Sequence, residues 1–488
     1  MQKKEAPLKV LFVSTEVVPY AKTGGLADVA GALPEELQKL GVDARVVMPY
    51  YNKVRGKFDE TKANIELWYN VNVGWRNQGV EVYYHKDEVP TYFLKNDYYF
   101  GRDELYGYED DCERFAFFSK AVTQLISQID FVPDIVHCND WQTGPIPLLI
   151  KDQYGWDKKY QNIKTIFTIH NMKYQGIFGT EALEMLGLDM GYMNSDKLEF
   201  NGGVSFMKAG LLYADHINTV SPTYMEELKT PQYGCGLDSL IREKLYWKTS
   251  GILNGLDIKK YDPETDKYIY FNYNADTIEK KQKNKIAFKG EFGLKQDDSM
   301  LVSIISRITD QKGFSLMKQT IWGEWFMDKM MSLGIQFVIL GTGETHYENM
   351  FKHFKYVYGD RVAVLLGFDE GLAQKVYAAS DVFLMPSEFE PCGLGQLMAM
   401  RYGTVPVVRQ TGGLKDTVLH YDYETKKGTG FEFADYSAYW LYKKLDEAND
   451  CYTNKPDDFR QIQLNGMKSA FGWEESAKKY IDLYKLIS

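Results

Sequence analysis

The chain has 488 residues, too many for one ordinary hydrophobic core, so two domains are expected. A content of 44% hydrophobic and 25% charged residues describes a soluble globular protein, and no apolar run approaches the roughly 20 residues of a membrane span. The net charge of −10 argues against nucleic acid or an anionic membrane as partner, and means that an anionic substrate needs its own local cluster of cations.

The start, Met1-Gln-Lys-Lys-Glu-Ala-Pro-Leu-Lys9, has no signal-peptide apolar core. Five scattered cysteines (112, 138, 235, 392, 451) form no C-x-x-C pair. They exclude a disulfide framework or zinc cage as the organising feature and point to a reducing, cytoplasmic compartment. Tyrosine and tryptophan are abundant, 36 and 9; such rings stack on sugars, but they also fill ordinary cores.

In chain order, Leu8–Ser14 reads as a buried strand, followed by the turn around Lys22-Thr-Gly-Gly25, a helical pattern to Leu40 and a strand Val42–Met48. This is the opening βαβ of a doubly wound sheet. Strands are expected at Val80–Tyr84 and Thr91–Leu94, then a tyrosine- and aspartate-rich loop over 96–111 and a helix over 113–127. Asp134–Cys138 delivers Asn139-Asp140-Trp141, Lys164–Ile169 delivers His170-Asn171, His216–Val220 delivers Ser221, and Gly251–Leu253 delivers Asn254-Gly255. Polar groups at successive carboxyl ends line one crevice, where open α/β sheets bind ligands.

A loop-like linker over 257–275 separates a second alternating series. Leu301–Ile305 ends in Ser306-Arg307, Gln336–Leu340 in a glycine-rich turn, Val362–Leu366 in Gly367-Phe368, Asp381–Met385 in Pro386-Ser-Glu-Phe-Glu390, and Thr404–Val408 in Thr411-Gly412-Gly413. Helices close the chain from about residue 436. The fold class is therefore α/β, two doubly wound Rossmann-like domains.

Lys22 beside two glycines at a helix start reads as either a phosphate cradle or a glycine turn made for packing, without the spacing of a dinucleotide or P-loop motif. Arg307 and Lys312 at one strand end read as either a solvated surface pair or a cation pair for a diphosphate whose charge develops as its bond to a sugar breaks. Glu390 stands on a strand-end loop before a helix, as either a catalytic carboxylate or one balancing the helix dipole. His170 at a strand end reads equally as structural or functional. The histidines show no metal spacing and no Gly-x-Ser-x-Gly elbow occurs.

Taken together, Lys22-Thr-Gly-Gly-Leu-Ala-Asp28, His137-Cys-Asn-Asp-Trp141, Ile169-His-Asn171, Asn218-Thr-Val-Ser-Pro222, Asn254-Gly-Leu-Asp257, Ser306-Arg307 with Lys312-Gly313, Glu390-Pro-Cys-Gly-Leu394, Tyr402-Gly-Thr404 and Thr411-Gly-Gly-Leu414 resemble the bacterial glycogen synthase and plant starch synthase family. They stand in family order over nearly the whole chain. The resemblance implies a GT-B fold with its active site in the cleft between domain 1–257, on the acceptor side, and domain 258–472, on the nucleotide-sugar side, with 473–488 crossing back to the first. It implies transfer of glucose from ADP-glucose to the non-reducing 4-hydroxyl of an α-1,4-glucan with retention, no metal or other cofactor, a cytoplasmic enzyme rather than a plastid one, and leaves the oligomeric state open.

By the same resemblance Glu390, His170, Arg307 and Lys312 are catalytic. Lys22, Gly24, Gly25, Asn254, Phe368, Cys392, Gly393, Leu394, Thr411, Gly412 and Gly413 would bind the donor, Phe368 by stacking on adenine. Glu16, Asp28, Asp140, Trp141 and Asn171 would contact sugar and acceptor. Two departures stand out. Many related transferases carry a second glutamate eight residues after the first, where this chain has Met398, which favours the glucan-synthase branch; and Gln142, not histidine, follows the Asp-Trp pair, and has no acid/base role. The alternatives are a related retaining transferase using UDP-glucose or a small acceptor, and a catalytically silent glucan-binding protein.

Overall fold

The computed structural model describes residues 6–57, 64–367 and 369–488. The chain divides into two compact units, Met1–Gly255 with Trp473–Ser488, and Leu256–Gly472. The boundary expected after Asp257 lies two residues late. The Leu256 N–H donates to the Phe471 carbonyl at 2.6 Å and Leu256 bridges Gly472, which ties 256 onward to the second unit.

The first unit holds β1 (Lys9–Val13), β2 (Asp43–Pro49), β3 (Asn64–Val73), β4 (Arg76–His85), β5 (Thr91–Lys95), β6 (Ile135–Asn139) and β7 (Lys164–Ile169). A small sheet of β8 (Ile177–Phe178), β9 (Glu199–Phe200) and β10 (Gly203–Ser205) follows, then β11 (His216–Thr219) and β12 (Thr249–Gly251). The main sheet runs β12-β11-β7-β6-β1-β2-β5-β4-β3. It is parallel from β12 to β5, and β4 and β3 extend it antiparallel. The inner strand β1 carries a continuous apolar run, Val10–Val13, because helices cover both faces of the sheet, whereas β4 alternates, with Val80 and Val82 buried on either side of Glu81. The strand expected at Gly251–Leu253 lies two residues earlier: its partner β11 ends at Thr219, paired with Gly251.

The helix Trp473–Ile487 belongs to this unit and is held by buried polar bonds. Tyr484 Oη lies 2.8 Å from His137 Nδ1, and Asn218 Nδ2 donates to Tyr480 Oη at 3.0 Å. Those contacts account for His137 and Asn218 within their motifs as anchors of this helix.

The second unit holds β13 (Leu301–Ile305), a ribbon of β14 (Thr320–Ile321) and β15 (Glu324–Trp325), then β16 (Gln336–Gly341), β17 (Val362–Leu366), β18 (Val382–Met385), β19 (Val405–Arg409) and β20 (Phe431–Phe433). The sheet order is β17-β16-β13-β18-β19-β20, parallel throughout. Its two faces bury separate cores, Val302, Ile304, Phe337 and Ile339 on one and Leu301, Val338, Leu340 and Phe383 on the other. In both sheets the first strand of the series lies inside, and chain order reverses beside it: between β1 and β6, and between β13 and β18. Those switch points leave a crevice at the carboxyl ends.

Candidate active site

In the first unit the crevice is lined from the ends of β1, β6 and β7. Directly after β1, the buried Glu16 carboxylate accepts from the Thr23 N–H at 2.5 Å, the Thr23 hydroxyl at 2.6 Å, the Gly24 N–H at 3.1 Å and the Tyr106 hydroxyl at 2.9 Å. Here the structure departs from the cradle expected of the sequence. The Thr23 and Gly24 amides, at the start of the helix Gly25–Lys39, already hold an anion, and it is Glu16, placed among the sugar contacts by resemblance. The Lys22 ammonium sits 2.7 Å from Asp28, so these two residues form one ion pair. A Cβ added at Gly24 or Gly25 would meet no atom within 4 Å, so internal packing does not account for glycine there.

Asp140 follows β6 with φ 56° and ψ 176°, a conformation that glycine adopts freely and that costs another residue about 1–3 kcal/mol. It is held there by its own N–H on the Thr168 carbonyl and by the Thr143 N–H and hydroxyl on its carbonyl. In return its carboxylate accepts from the His170 N–H at 2.7 Å and the Asn171 N–H at 3.4 Å, fixing the backbone at the end of β7. Desolvation raises the Asp140 carboxyl to about 7.

Burial lowers the His170 imidazole to about 3, so it is neutral. Its tautomer follows from Asn139, whose amide nitrogen donates to the Val13 carbonyl at 3.0 Å and turns Oδ1 toward His170 Nε2 at 2.9 Å. Nε2 therefore carries the hydrogen and Nδ1 is left as an acceptor, suited to a sugar hydroxyl. Trp141 packs in an aromatic cluster with Phe115, Phe178 and Phe206, centroids 5.1–6.5 Å away, so packing accounts for its place in the motif. Asn254 is buried, and its Oδ1 has no hydrogen-bond partner among the described residues.

The crevice of the second unit is lined from β13, β18 and β19. Lys312, in a short turn after β13, places its ammonium 2.5 Å from the Glu390 carboxylate on the loop after β18, and Ser387 Oγ donates to the same oxygen at 3.2 Å. Both charges are nearly buried, with side chains 17% and 9% exposed. Arg307 is exposed at the end of β13 and has no carboxylate partner among the described residues, leaving a cation open to a ligand.

Three residues that the sequence reading left out hold this loop. Buried Arg409, at the end of β19, donates to the carbonyls of Glu388 at 2.5 Å and Ser387 at 3.4 Å. Gln311 accepts from the Glu388 N–H and donates to the Phe389 carbonyl. Gln396 donates to the carbonyls of Cys392 and Gly393, closing the turn before Leu394 and the helix Gly395–Arg401.

The turn Thr411-Gly412-Gly413, expected to bind the donor, is likewise engaged internally. The Gly413 N–H donates to the carbonyls of Glu390 and Pro391. Gly412 has φ +44°, and a Cβ there would lie 2.0 Å from the Glu390 carbonyl oxygen. Close backbone approach beneath Glu390 explains these glycines. Phe368 lies outside the described residues.

The description "starch synthase catalytic domain" belongs to the family model that matches residues 9–243, and the model for glycosyl transferases group 1 matches 275–463. The chain is 47% identical over 484 residues to a glycogen synthase of Clostridium acetobutylicum, covering 98% of this chain and 99% of that one. It is 44% identical to a glycogen synthase of Streptococcus mutans, covering 98% and 99%. Among solved structures it is similar to the catalytic domain of starch synthase IV from Arabidopsis thaliana bound to ADP and acarbose, at 31% identity and a TM-score of 0.89 over 99% of each chain. A sucrose-phosphate synthase from Thermosynechococcus elongatus, 18% identical with a TM-score of 0.60, shares the fold. With these relatives matched end to end on a chain of two doubly wound units, the protein belongs to the glycogen and starch synthase family of GT-B glycosyltransferases.

Proposed function

We propose that the protein is a glycogen synthase that transfers glucose from ADP-glucose to the non-reducing 4-hydroxyl of an α-1,4-glucan with retention of configuration. The observation that carries this reading is the Lys312–Glu390 pair joining the loops after β13 and β18, with the open Arg307 guanidinium at the end of β13, at the switch point of the second sheet. Arg307 and Lys312 neutralise the departing diphosphate, a fork and a point charge on the group where negative charge grows. The reading therefore requires no metal or other cofactor. Glu390 contacts the glucose hydroxyls and steadies the oxocarbenium-like transition state.

In the first unit, His170 receives a hydroxyl of the transferred glucose on Nδ1, and Asp140 and Asn171 order the backbone that meets the sugar. Lys22 reaches the diphosphate by exchanging Asp28 for it, and Gly24 and Gly25 leave room for close approach. As the bond between C1 and the phosphate oxygen breaks, its electron pair passes to that oxygen. The acceptor oxygen bonds to C1 on the same face, and the phosphate takes the acceptor's proton.

ADP rather than UDP is supported by the starch synthase relative, which is bound to ADP. The net charge of −10 supports a neutral glucan as acceptor, with no nucleic acid and no membrane as partner, and among the described residues no helix is long and apolar enough to cross a membrane. A cytoplasmic location fits the cysteine usage.

The test is nucleotide release from ADP-glucose and UDP-glucose, with and without glycogen, together with product chain length. Glycogen-dependent ADP release with lengthened chains is expected. Release from UDP-glucose alone would move the donor, and no chain growth with either donor would overturn the activity.

A further inference from the structure

The pairing of Ile321 with Glu324 leaves Trp322 and Gly323 as a two-residue turn between β14 and β15. Both have positive φ, 53° and 85°, as a type I′ turn requires. Asparagine or glycine suits the first position, and a bulky ring there is conformationally costly. Burial does not repay that cost, since Trp322 is 66% exposed.

Its ring meets Tyr439 at 5.7 Å and Tyr442 at 6.2 Å, and Tyr439 meets Trp440 at 5.2 Å, the rings inclined to one another by 72–80°. The Lys329 ammonium over the Trp322 ring also faces the Glu324 carboxylate at 3.6 Å, so the charge beside the rings is balanced. Every exposed large hydrophobic residue of the ribbon and of the first turn of the helix Ala438–Asn454 is aromatic: Trp322, Trp325, Tyr439 and Trp440.

Their polar atoms are free as well. Elsewhere, exposed Trp156 and Trp247 donate their indole N–H groups to backbone carbonyls. Those of Trp322, Trp325 and Trp440, and the Tyr439 hydroxyl, meet no partner among the described residues.

We propose that Trp322, Tyr439 and Trp440 form a surface site for an α-1,4-glucan chain, sharing no residue with those assigned to the transfer. The inference rests on the acceptor class given above. A sugar ring has an apolar face that stacks on an aromatic face and hydroxyls that receive indole N–H donors. A neutral ligand matches the balanced charge. A polymer of identical sugars can present one such face to each of several differently inclined rings, which a small ligand cannot span. The site would hold a long glucan at the enzyme between transfers.

The test compares the wild-type full chain with Trp322→Asn/Trp440→Ala. Asparagine is the better residue for the turn, so the thermal midpoint should hold or rise while the stacking surface is lost. Co-sedimentation with glycogen, without donor, should weaken by about tenfold. The KM for glycogen should rise, and kcat and KM for maltotetraose should stay unchanged. Trp322→Phe/Trp440→Phe should keep most of the glycogen affinity. Unchanged glycogen affinity in the Asn/Ala variant overturns the proposal, as does a loss that tracks a lower midpoint and poorer maltotetraose kinetics. A variant that alters only the sedimentation coefficient overturns it too, marking the patch as a contact between copies. If neither donor supports extension of maltotetraose by the wild type, the reaction assigned above fails, while the co-sedimentation result still decides the site.

Discussion

The Lys312 ammonium lies 2.5 Å from the Glu390 carboxylate, a contact between residues 78 positions apart that joins the loops after β13 and β18. Removing one partner leaves a nearly buried charge alone, which costs about 3–5 kcal/mol. Lys312→Met and Glu390→Gln should therefore each destabilise the chain, and the double variant should cost less than their sum. Urea unfolding of the four proteins checks this. A further variant, Glu390→Ala, should keep ADP binding while turnover falls by several orders of magnitude; an unaffected rate would remove Glu390 from the reaction.

Arg307 is exposed, with no carboxylate partner among the described residues, so its removal should leave the thermal midpoint nearly unchanged. Loss of a charged hydrogen-bonding partner should weaken ADP by about ten- to a hundredfold. Affinity for maltooligosaccharides should change little, because only the nucleotide carries charge. Calorimetric titration of both ligands into Arg307→Ala separates these effects. Equal loss of both would indicate a folding defect.

Arg409 touches backbone carbonyls of the Glu390 loop and places it from below. Arg409→Met should lower kcat by about a hundredfold, the usual result of small misplacement of a catalytic group. KM for the donor should change less, and Arg409→Lys should recover part of the rate. Steady-state kinetics of the two variants tests this. A loss confined to KM would assign Arg409 to binding instead.

Asp140 and His170 give opposing pH effects. With its folded pKa raised from 3.8 to about 7, Asp140 contributes stability that is full below 3.8 and is lost as pH rises through 7. His170, lowered from 6.5 to about 3, contributes stability that is full above 6.5 and is lost as pH falls toward 3. Asp140→Asn keeps an acceptor for the His170 and Asn171 amides and removes only the first effect. Its midpoint relative to wild type should climb between about pH 4 and 7 and then level off. Differential scanning calorimetry across that range checks the sign, and a flat difference would mean that the carboxyl titrates normally.

Tyr484 meets His137 Nδ1 in the core of the first unit. Tyr484→Phe leaves a buried ring nitrogen without a partner, at about 1–3 kcal/mol. The loss should appear as faster amide exchange in the helix Trp473–Ile487. Unchanged exchange would mean that this bond does not hold the helix.

Most of the inner parallel strands were legible because they carry buried, largely apolar runs, as β1, β6, β13 and β18 do, and the loop that follows each lies at the carboxyl-end crevice by topology. That is why Asp140, His170, Arg307 and Glu390 stand out in the sequence. β3 was missed because exposed Trp68 breaks the apolar and polar alternation in which Tyr69, Val71 and Val73 are buried, and β20 because three residues carry no period. The state of the glycine turns was not legible either. That Glu16 occupies the Thr23 and Gly24 amides, and that Glu390 and Pro391 take the Gly413 amide, depends on where strands end in space. Arg409 reads as an ordinary surface cation until β19 brings it under the neighbouring loop.

The return of Trp473–Ile487 to the first unit bears on how the protein is made. A ribosome releases the nine-stranded sheet early, yet the helix that covers His137 and Asn218 is synthesised only after the whole of Leu256–Gly472. During translation the first unit waits with an uncovered apolar face, while the second, continuous in sequence, has all its residues in hand. The second unit can therefore reach its native state before the first, although the first is the earlier to emerge.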